Sequence, residues 1–419
     1  MKAVAAEPSS RAAGQEERRR RILTAATELF EAHGFEGTTT DDVAAAANVT
    51  KRTLYRYVGS KEQLLYEIHE GFLGGLLQDV ATSNGGPEER FRAMVRAHMD
   101  DLASNVRDIK VFFEEIKHLG PAKRTELFGR RADYERAVAD IIADGTARDA
   151  FQVPDVPLAT RAILGAMNEG YRWYRGEETR YSGSTADLIA GQFLFGLEAR
   201  ARGRSRVKVD AHLAQNLVPA VRGTEPDQPL DRILTAATTL FRQHGYHRTS
   251  TQQIAERAGM TKGALFYHVG YKEEALVKIQ ERLHERTSSV LRALENGSAR
   301  AGVVLARLVV AQSRLTAQHQ DAVAVVSEEM KYLPPEAVPG LAAYQAEQQD
   351  IFERTIRRGA AEGDLAAEDP RIAALLVRGM INSTYRWYRP EEEISPAGLG
   401  LALVDIVLHG LSTRSPSRR

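Results

Sequence analysis

The chain is written twice. Residues 22–65, ILTAATELFEAHGFEGTTTDDVAAAANVTKRTLYRYVGSKEQLL, return at 233–276 as ILTAATTLFRQHGYHRTSTQQIAERAGMTKGALFYHVGYKEEAL, shifted by a constant 211 positions; 22 of the 44 positions are identical and no gap is needed. Further on, Tyr171-Arg-Trp-Tyr-Arg175 returns as Tyr385-Arg-Trp-Tyr-Arg389 and Glu114-Glu115 as Glu328-Glu329, now shifted by 214. A period of this size is too long for a solenoid and matches a whole domain. The fold must therefore be a tandem pair, each copy solving the same packing problem. The stretch 201–229 between the copies begins basic and ends GTEPDQP, which reads as a linker; its middle, 209–221, could hold a short helix.

Within one copy the pattern is helical. Ile22, Leu23, Ala26, Leu29 and Phe30 fall on one face, and Gly34 ends that helix. Thr40 with Asp41 and Asp42 suits the start of a second helix, a hydroxyl for free amides and acids for the dipole. Asn48, matched by Gly259, tolerates the left-handed geometry that ends it. Thr50 is expected to cap a short third helix, 51–57; Val58-Gly59-Ser60 then turns the chain, and a long fourth helix begins at Lys61. Two short helices joined by a tight turn, with a longer one packed across them, form a helix-turn-helix. The rest, to about residue 200, carries further helical stripes broken at Asn84-Gly-Gly-Pro87, Gly120-Pro121 and Val153-Pro154, and no convincing strand alternation.

Composition limits the alternatives. There is no cysteine, so neither disulfides nor thiolate metal sites form, in keeping with a reducing cytoplasm. No apolar run reaches membrane-spanning length, and the polar start, MKAVAAEPSSRAAGQEERRRR, lacks a signal-peptide apolar core; we expect residues 1–17 to form a disordered arm. No glycine-rich phosphate loop, nucleophile–base pair or metal set points to an enzyme, and no cofactor is expected. Net charge is zero, but nucleic-acid binding depends on where charge sits, and basic residues cluster at Arg18–Arg21 and at Arg200, Arg202, Arg204, Arg206 and Lys208. A solvated face or an unstructured tail would produce the same clusters. Glu115-x-x-His118 has the spacing of a di-iron carboxylate helix, but the copy has Glu329 with Tyr332, and a metal site is disfavoured.

The segment TTTDDVAAAANVTKRTLYRYVGSKEQLL resembles the DNA-binding head of the TetR/AcrR repressors, and STQQIAERAGMTKGALFYHVGYKEEAL resembles it more closely. Val58 and Val269 stand where the family usually has Phe, a packing change. The larger departure is the duplication itself, since most members carry one unit and dimerise. The resemblance implies an all-α fold of two units, each a three-helix helix-turn-helix head followed by a helical ligand-binding and dimerisation domain, arranged as an internal pseudo-dimer. The expected segments are heads at 18–65 and 230–276, effector domains at 66–200 and 277–412, and a disordered tail at 413–419. The final helices, 184–199 and 397–412, look like the pairing helices of such repressors. The YRWYR segments are similar to a subgroup that senses fatty acyl- or steroid-derived CoA thioesters.

The resemblance places the helices starting at Thr50 and Thr261 in the major groove, where base edges are readable. It puts Thr40, Thr251, Lys61 and Lys272 at phosphates. Thr50, Lys51, Thr261 and Lys262 are shared and would touch backbone or a common base; Tyr55, Tyr57 and Tyr267 can give hydroxyls to phosphates, although Tyr55, replaced by Phe266, also reads as core. The copies differ where specificity should lie: Arg52, Thr53, Arg56 and Tyr57 become Gly263, Ala264, Tyr267 and His268. Arg52 could grip a guanine edge and Ala264 meet a thymine methyl, so the expected partner is a double-stranded operator with unlike half-sites, an imperfect palindrome. One chain could act as a pseudo-dimer, or two could pair as a homodimer.

In the effector domains, a small molecule is expected to bind better in the DNA-incompetent state and shift the population. Candidate ligand residues are Arg172, Trp173, Tyr174, Arg386, Trp387 and Tyr388. Core packing is the plainer reading of the aromatics, and a Glu ion pair that of the arginines. The leading expectation is a cytoplasmic, nucleoid-associated repressor with no membrane partner. The rivals are a helical enzyme or carrier with a vestigial head, and a ligand-binding or interaction protein in which one head no longer binds DNA.

Overall fold

The computed structural model describes residues 10–82, 84–174, 184–196, 228–389 and 394–410. Among these the architecture is helical throughout. The first copy contributes α1 (Ser10–Gly37), α2 (Thr40–Ala46), α3 (Lys51–Val58), α4 (Lys61–Thr82), α5 (Pro87–Ser104), α6 (Val106–Glu115), α7 (Pro121–Ala147), α8 (Val156–Asn168) and α9 (Thr185–Phe195). The second repeats the series as α10 (Pro229–His244), α11 (Thr251–Arg257), α12 (Lys262–Val269), α13 (Lys272–Glu295), α14 (Ala301–Gln318), α15 (Gln320–Glu328), α16 (Val338–Glu362), α17 (Pro370–Trp387) and α18 (Pro396–His409). Short 3-10 turns follow α6 (Ile116–His118), α8 (Glu169–Arg172) and α15 (Met330–Tyr332).

Helix ends follow from local chemistry. Glycines with positive φ break the first helix of each copy: Gly34, at 73°, kinks α1 before its last residues, and Gly245, at 78°, ends α10. Asn48 and Gly259 both adopt positive φ after the second helix, at 52° and 67°, as their side chains allow. The cap of α2 is Thr39, not Thr40. Thr39 is extended and its hydroxyl accepts from the Asp42 amide at 3.1 Å, while Asp42 accepts from the Thr39 amide at 2.8 Å. Ser250 and Gln253 form the same reciprocal box before α11. Thr50 and Thr261 cap α3 and α12 as expected.

Several boundaries differ from those the sequence predicts. Helix α1 starts at Ser10, inside the stretch 1–17 expected to be disordered. Glu–Arg pairs one turn apart, Glu17 with Arg20 and Glu16 with Arg19 at 4.0 Å, suit its extension. Helices α4 and α13 run unbroken through the expected boundaries at 65/66 and 276/277. The linker from 201 to 227, the basic run Arg200–Lys208 and the tail 413–419 lie outside the described residues.

The chain divides into two compact units. One takes the residues up to Gly75 with Asn105–Ala132; it holds the first head, packed on α6. The other takes Leu76–Ser104 and everything from Asp133. In this second unit α8 and α9 of the first copy pack with α17 and α18 of the second. The contact is isologous, as in a two-fold dimer. A Cβ on Gly165 would lie 2.6 Å from that of Ser383, and one on Gly379 would lie 3.3 Å from that of Glu169; these positions are related by the same 214 shift. Likewise Gly196 approaches the Leu408 carbonyl and Gly410 the Leu194 carbonyl. The tandem pair thus contains an internal pseudo-dimer interface.

Candidate functional site

In both α3 and α12 an apolar stripe fastens the helix and the opposite side is left to solvent; that outer side is polar in α3 and mixed in α12, where Gly263 and Phe266 are exposed beside Lys262 and Tyr267. In α3, Leu54 and Val58 are buried, while Lys51, Arg52, Tyr55 and Arg56 are exposed and Thr53 and Tyr57 half-buried. In α12, Leu265 and Val269 are buried, and Lys262, Gly263, Phe266 and Tyr267 are exposed, with Ala264 and His268 half-buried. The period places the fastening residues four apart on one stripe. Tyr267 is 87% exposed, an unusual position for a large aromatic and suited to a partner surface. Tyr55 is 44% exposed, which decides against the core alternative; its hydroxyl lies 3.3 Å from that of Thr40. Thr40 and Thr251 are the first residues of α2 and α11, both half-buried. Thr50 and Thr261 use their hydroxyls on the amides of Thr53 and Ala264, each at 3.2 Å.

The two heads differ electrostatically. Lys51 pairs with Asp41 at 2.9 Å, and that hydrogen bond raises its pKa. Both groups are exposed, so the pair is weak and readily exchanged for phosphate. Gln252 replaces Asp41 in the second head, and the Lys262 ammonium instead lies 5.6 Å from the Phe266 ring centre. Arg18 reaches the Tyr57 hydroxyl at 3.4 Å, and Arg56 lies over the Tyr57 ring, so basic side chains gather at the first reading helix.

Lys61 and Lys272, expected at phosphates, have partners inside the head. Lys61 donates to the Phe35 and Thr38 carbonyls at 2.7 and 2.9 Å and lies 4.1 Å from the centre of the Phe35 ring. Lys272 donates to the Tyr246 carbonyl at 2.9 Å over the Tyr246 ring, and burial lowers its pKa. Both hold the loop between the first two helices.

That loop is clamped from its other side by residues the sequence reading had assigned elsewhere. The Phe35 amide donates to Glu115 at 3.0 Å, and His118 stacks on Phe35 with ring centres 5.2 Å apart and planes at 16°. Glu115 and His118, the pair considered for metal, thus secure the head. In the second copy Tyr332 stacks on Tyr246 at 5.1 Å and 13°, which explains why Tyr replaces His there: a flat ring suffices. Val325, Val326 and Leu333 continue the apolar core of the second head, which is thus packed against α15 and the turn after it.

The effector domain of the second copy encloses a cavity of about 340 Å³ lined by α13–α17 and by Glu169, Arg172 and Trp173 of the first copy. Of the six candidate ligand residues, Arg172 and Trp173 line it. Arg172 donates to Glu169 at 3.0 Å and to the Ser327 carbonyl at 3.3 Å. The others are placed differently. Arg386 pairs with Glu169 at 2.5 Å, Tyr174 and Tyr388 are buried core, and Trp387 lies 3.5 Å from the Ser383 hydroxyl. Burial would raise the Glu169 pKa, but Arg386 and Arg172 outweigh it and hold the carboxyl below its ordinary value. Arg378 and His284, also on the cavity wall, were missed; nothing in the periodicity distinguishes an inward-facing Arg on α17 from an exposed one, though its replacement by Leu164 in the first copy was visible at the 214 shift.

Two capped short helices, each with one side left to solvent and each followed by a long helix leading into a helical domain, define a helix-turn-helix DNA-binding regulator. The model for bacterial regulatory proteins of the tetR family matches residues 22–68 and 233–277, and that for the tetracyclin repressor-like C-terminal domain matches 84–191 and 298–411. The chain belongs to the TetR family and carries its two-domain unit in duplicate. It is 28% identical over 193 residues to the HTH-type transcriptional repressor KstR2 of Rhodococcus jostii, covering 45% of this chain and 92% of that one. It is 25% identical over 153 residues to the transcriptional activator FasR of Mycolicibacterium smegmatis, covering 36% of this chain and 69% of the relative. Among solved structures, the TetR-family regulator PfmR from Thermus thermophilus is 31% identical, over 41% of this chain and 93% of that one, with a TM-score of 0.37. Among the described residues, no helix is long and apolar enough to cross a membrane.

Proposed function

We propose that this chain is a repressor that reads one operator with both of its heads and leaves it when a small molecule occupies the effector domain. The observation that carries the reading is the pair of solvent-facing sides on α3 and α12, built from different residues on equivalent scaffolds. A scaffold shared between copies with altered contact residues suits two unlike half-sites, an imperfect palindrome. Repression is favoured by the name of the KstR2 relative, which spans nearly a whole copy. The internal interface of α8, α9, α17 and α18 takes the place of a subunit interface, so one chain acts as the functional pseudo-dimer in the cytoplasm.

In this reading the head residues meet DNA in two ways. Lys51, Arg56, Tyr57, Lys262, Tyr267 and the first-turn threonines Thr40 and Thr251 contact phosphates, which position the helices. Arg52 and Thr53 in one head, and Ala264 beside the open backbone of Gly263 in the other, read base edges, with His268 at the groove margin. The effector is an apolar anion, an acyl-CoA thioester among the candidates.

The test is selection of DNA by the full chain from a random pool, then footprinting and mass measurement of the complex. One chain protecting two unlike half-sites is expected. Two equivalent half-sites, or protection of a single half-site, would overturn the reading, and the latter would favour a second head that no longer binds DNA. Acyl-CoA thioesters of graded length, added to the complex, should release it.

A further inference from the structure

The two effector domains share a backbone plan but not an interior. In the second copy, Arg378 of α17 lies half-buried on the cavity wall, and its hydrogen-bond partners are all neutral: the Gln345 carbonyl at 3.4 Å, Gln349 at 3.1 Å and Gln348 at 3.3 Å. Its Nε has no partner, and neither does Nε2 of His284 or Oε1 of Gln312, both on the same wall. Native interiors leave few buried polar atoms unpaired, and three of those found among the described residues belong to side chains of this one wall. Glu169, the carboxylate on that wall, is already shared by Arg172 and Arg386. Three guanidinium groups therefore face one carboxylate. Burial pulls the Arg378 pKa down to about 10, which leaves it charged at neutral pH, while burial holds His284 at about 4 and hence neutral.

At the 214 shift the first copy replaces these groups. Leu164 stands for Arg378, His98 for Gln312 and Tyr134 for Gln348. His98 Nδ1 and the Tyr134 hydroxyl are 2.9 Å apart with their rings stacked, so the two polar groups satisfy each other. The cation is gone, and both replacement rings are buried.

We propose that each chain binds one effector molecule, in the cavity of the second copy, through an anionic group received by Arg378. The proposal rests on the effector reading above and narrows it: the duplication has produced one copy that keeps the anion-receiving arginine and one that has lost it, joined at their interface. The wall of the proposed site is shared, since Arg172 and Trp173 come from the first copy. The site also has a short route to DNA. Ser327 and Met330 line the cavity, and two residues beyond Met330 the Tyr332 ring stacks on Tyr246 of the second head. A ligand that displaces the turn after α15 shifts that stack, so the second head responds first.

The test uses anilinonaphthalenesulfonate, an apolar anion, against its uncharged relative phenylnaphthylamine, titrated into the full chain without DNA. One sulfonate per chain is expected, bound about tenfold more tightly than the amine, as a charge-assisted contact gives. Arg378→Leu and Arg378→Gln should erase that preference and Arg378→Lys retain most of it, with circular dichroism unchanged. The chain has two tryptophans, and energy transfer to the dye should survive Trp387→Phe and fall strongly in Trp173→Phe. Two equal sites per chain, no saturable site, or a charge preference that survives both neutral variants would overturn the proposal. Release of DNA is not part of this titration, so failure of the effector reading would appear separately, as a chain that binds the dye normally and never leaves its operator.

Discussion

Glu169, at the end of α8, accepts from Nη1 of Arg386, on α17 of the other copy, at 2.5 Å. The equivalent of Glu169 in the second copy is Ser383, so the pseudo-two-fold is broken at its centre: one carboxylate serves both arginines, and no second one mirrors it there. A homodimer cannot make this arrangement, because identical subunits would bring two glutamates or none. Duplication within one chain freed the two halves to diverge across their own interface.

Removing that carboxylate charge should loosen the interface. Glu169→Gln leaves the nearly buried Arg386 and the half-buried Arg172 without their shared carboxylate, a change that costs about 3 kcal/mol. We expect a lower thermal midpoint, with much of the loss recovered when Arg386→Met is added. The native carboxyl titrates below its ordinary value, so its stabilisation is present above about pH 4.3 and is lost as the pH falls through the depressed folded value; the Gln variant should lack that acid-limb loss.

Gly410 sits at φ 66°, and a Cβ there would come 2.5 Å from the Gly196 nitrogen and 2.6 Å from the Leu194 carbonyl oxygen. Gly410→Ala combines a left-handed backbone, costing roughly 1–2 kcal/mol, with a clash against backbone that cannot rotate away. Differential scanning calorimetry should show a clear loss of stability, whereas Gly363→Ala, also at positive φ but in open space, should show the conformational cost alone.

The heads should separate by variant. Arg52→Ala should weaken binding at one half-site by about 1–3 kcal/mol and relax its preferred base, leaving the other half-site unchanged. Gly263 is exposed, with its nearest neighbour Thr261 Oγ1 at 3.9 Å; Gly263→Arg should therefore fold normally and draw the second head toward the preference of the first. Lys51→Ala and Lys262→Ala should each reduce the slope of log affinity against log salt by about 0.9 if each meets one phosphate. A quantitative gel-shift series reads all four.

His69 is buried against Phe112, ring centres 4.9 Å apart, and neither ring nitrogen has a hydrogen-bond partner. Burial lowers its pKa to about 3. The folded ring stays neutral while the unfolded one takes a proton below about pH 6.5, so its contribution is complete above that pH and is lost progressively as the pH falls toward 3. His69→Phe removes both orphaned nitrogens. It should raise the thermal midpoint at neutral pH and flatten the decline between pH 6 and 4; an unchanged decline would show that the acid sensitivity lies elsewhere.

Much of this protein was legible before any coordinates. The 211-residue echo, the capping hydroxyls at Thr50 and Thr261 and the left-handed positions at Asn48 and Gly259 are local properties of a helical chain, and local rules suffice to place α3 and α12 with their polar faces outward. Three-dimensional packing decided what those rules cannot. It turned Lys61 and Lys272 inward onto backbone carbonyls and made Glu115 and His118 a clamp on the first head. It paired Arg172 and Arg386 with Glu169 and left Arg378 hydrogen-bonded to neutral groups alone. A side chain's partner is chosen by whatever crosses its helix from a hundred or two hundred residues away, and neither spacing nor periodicity carries that information.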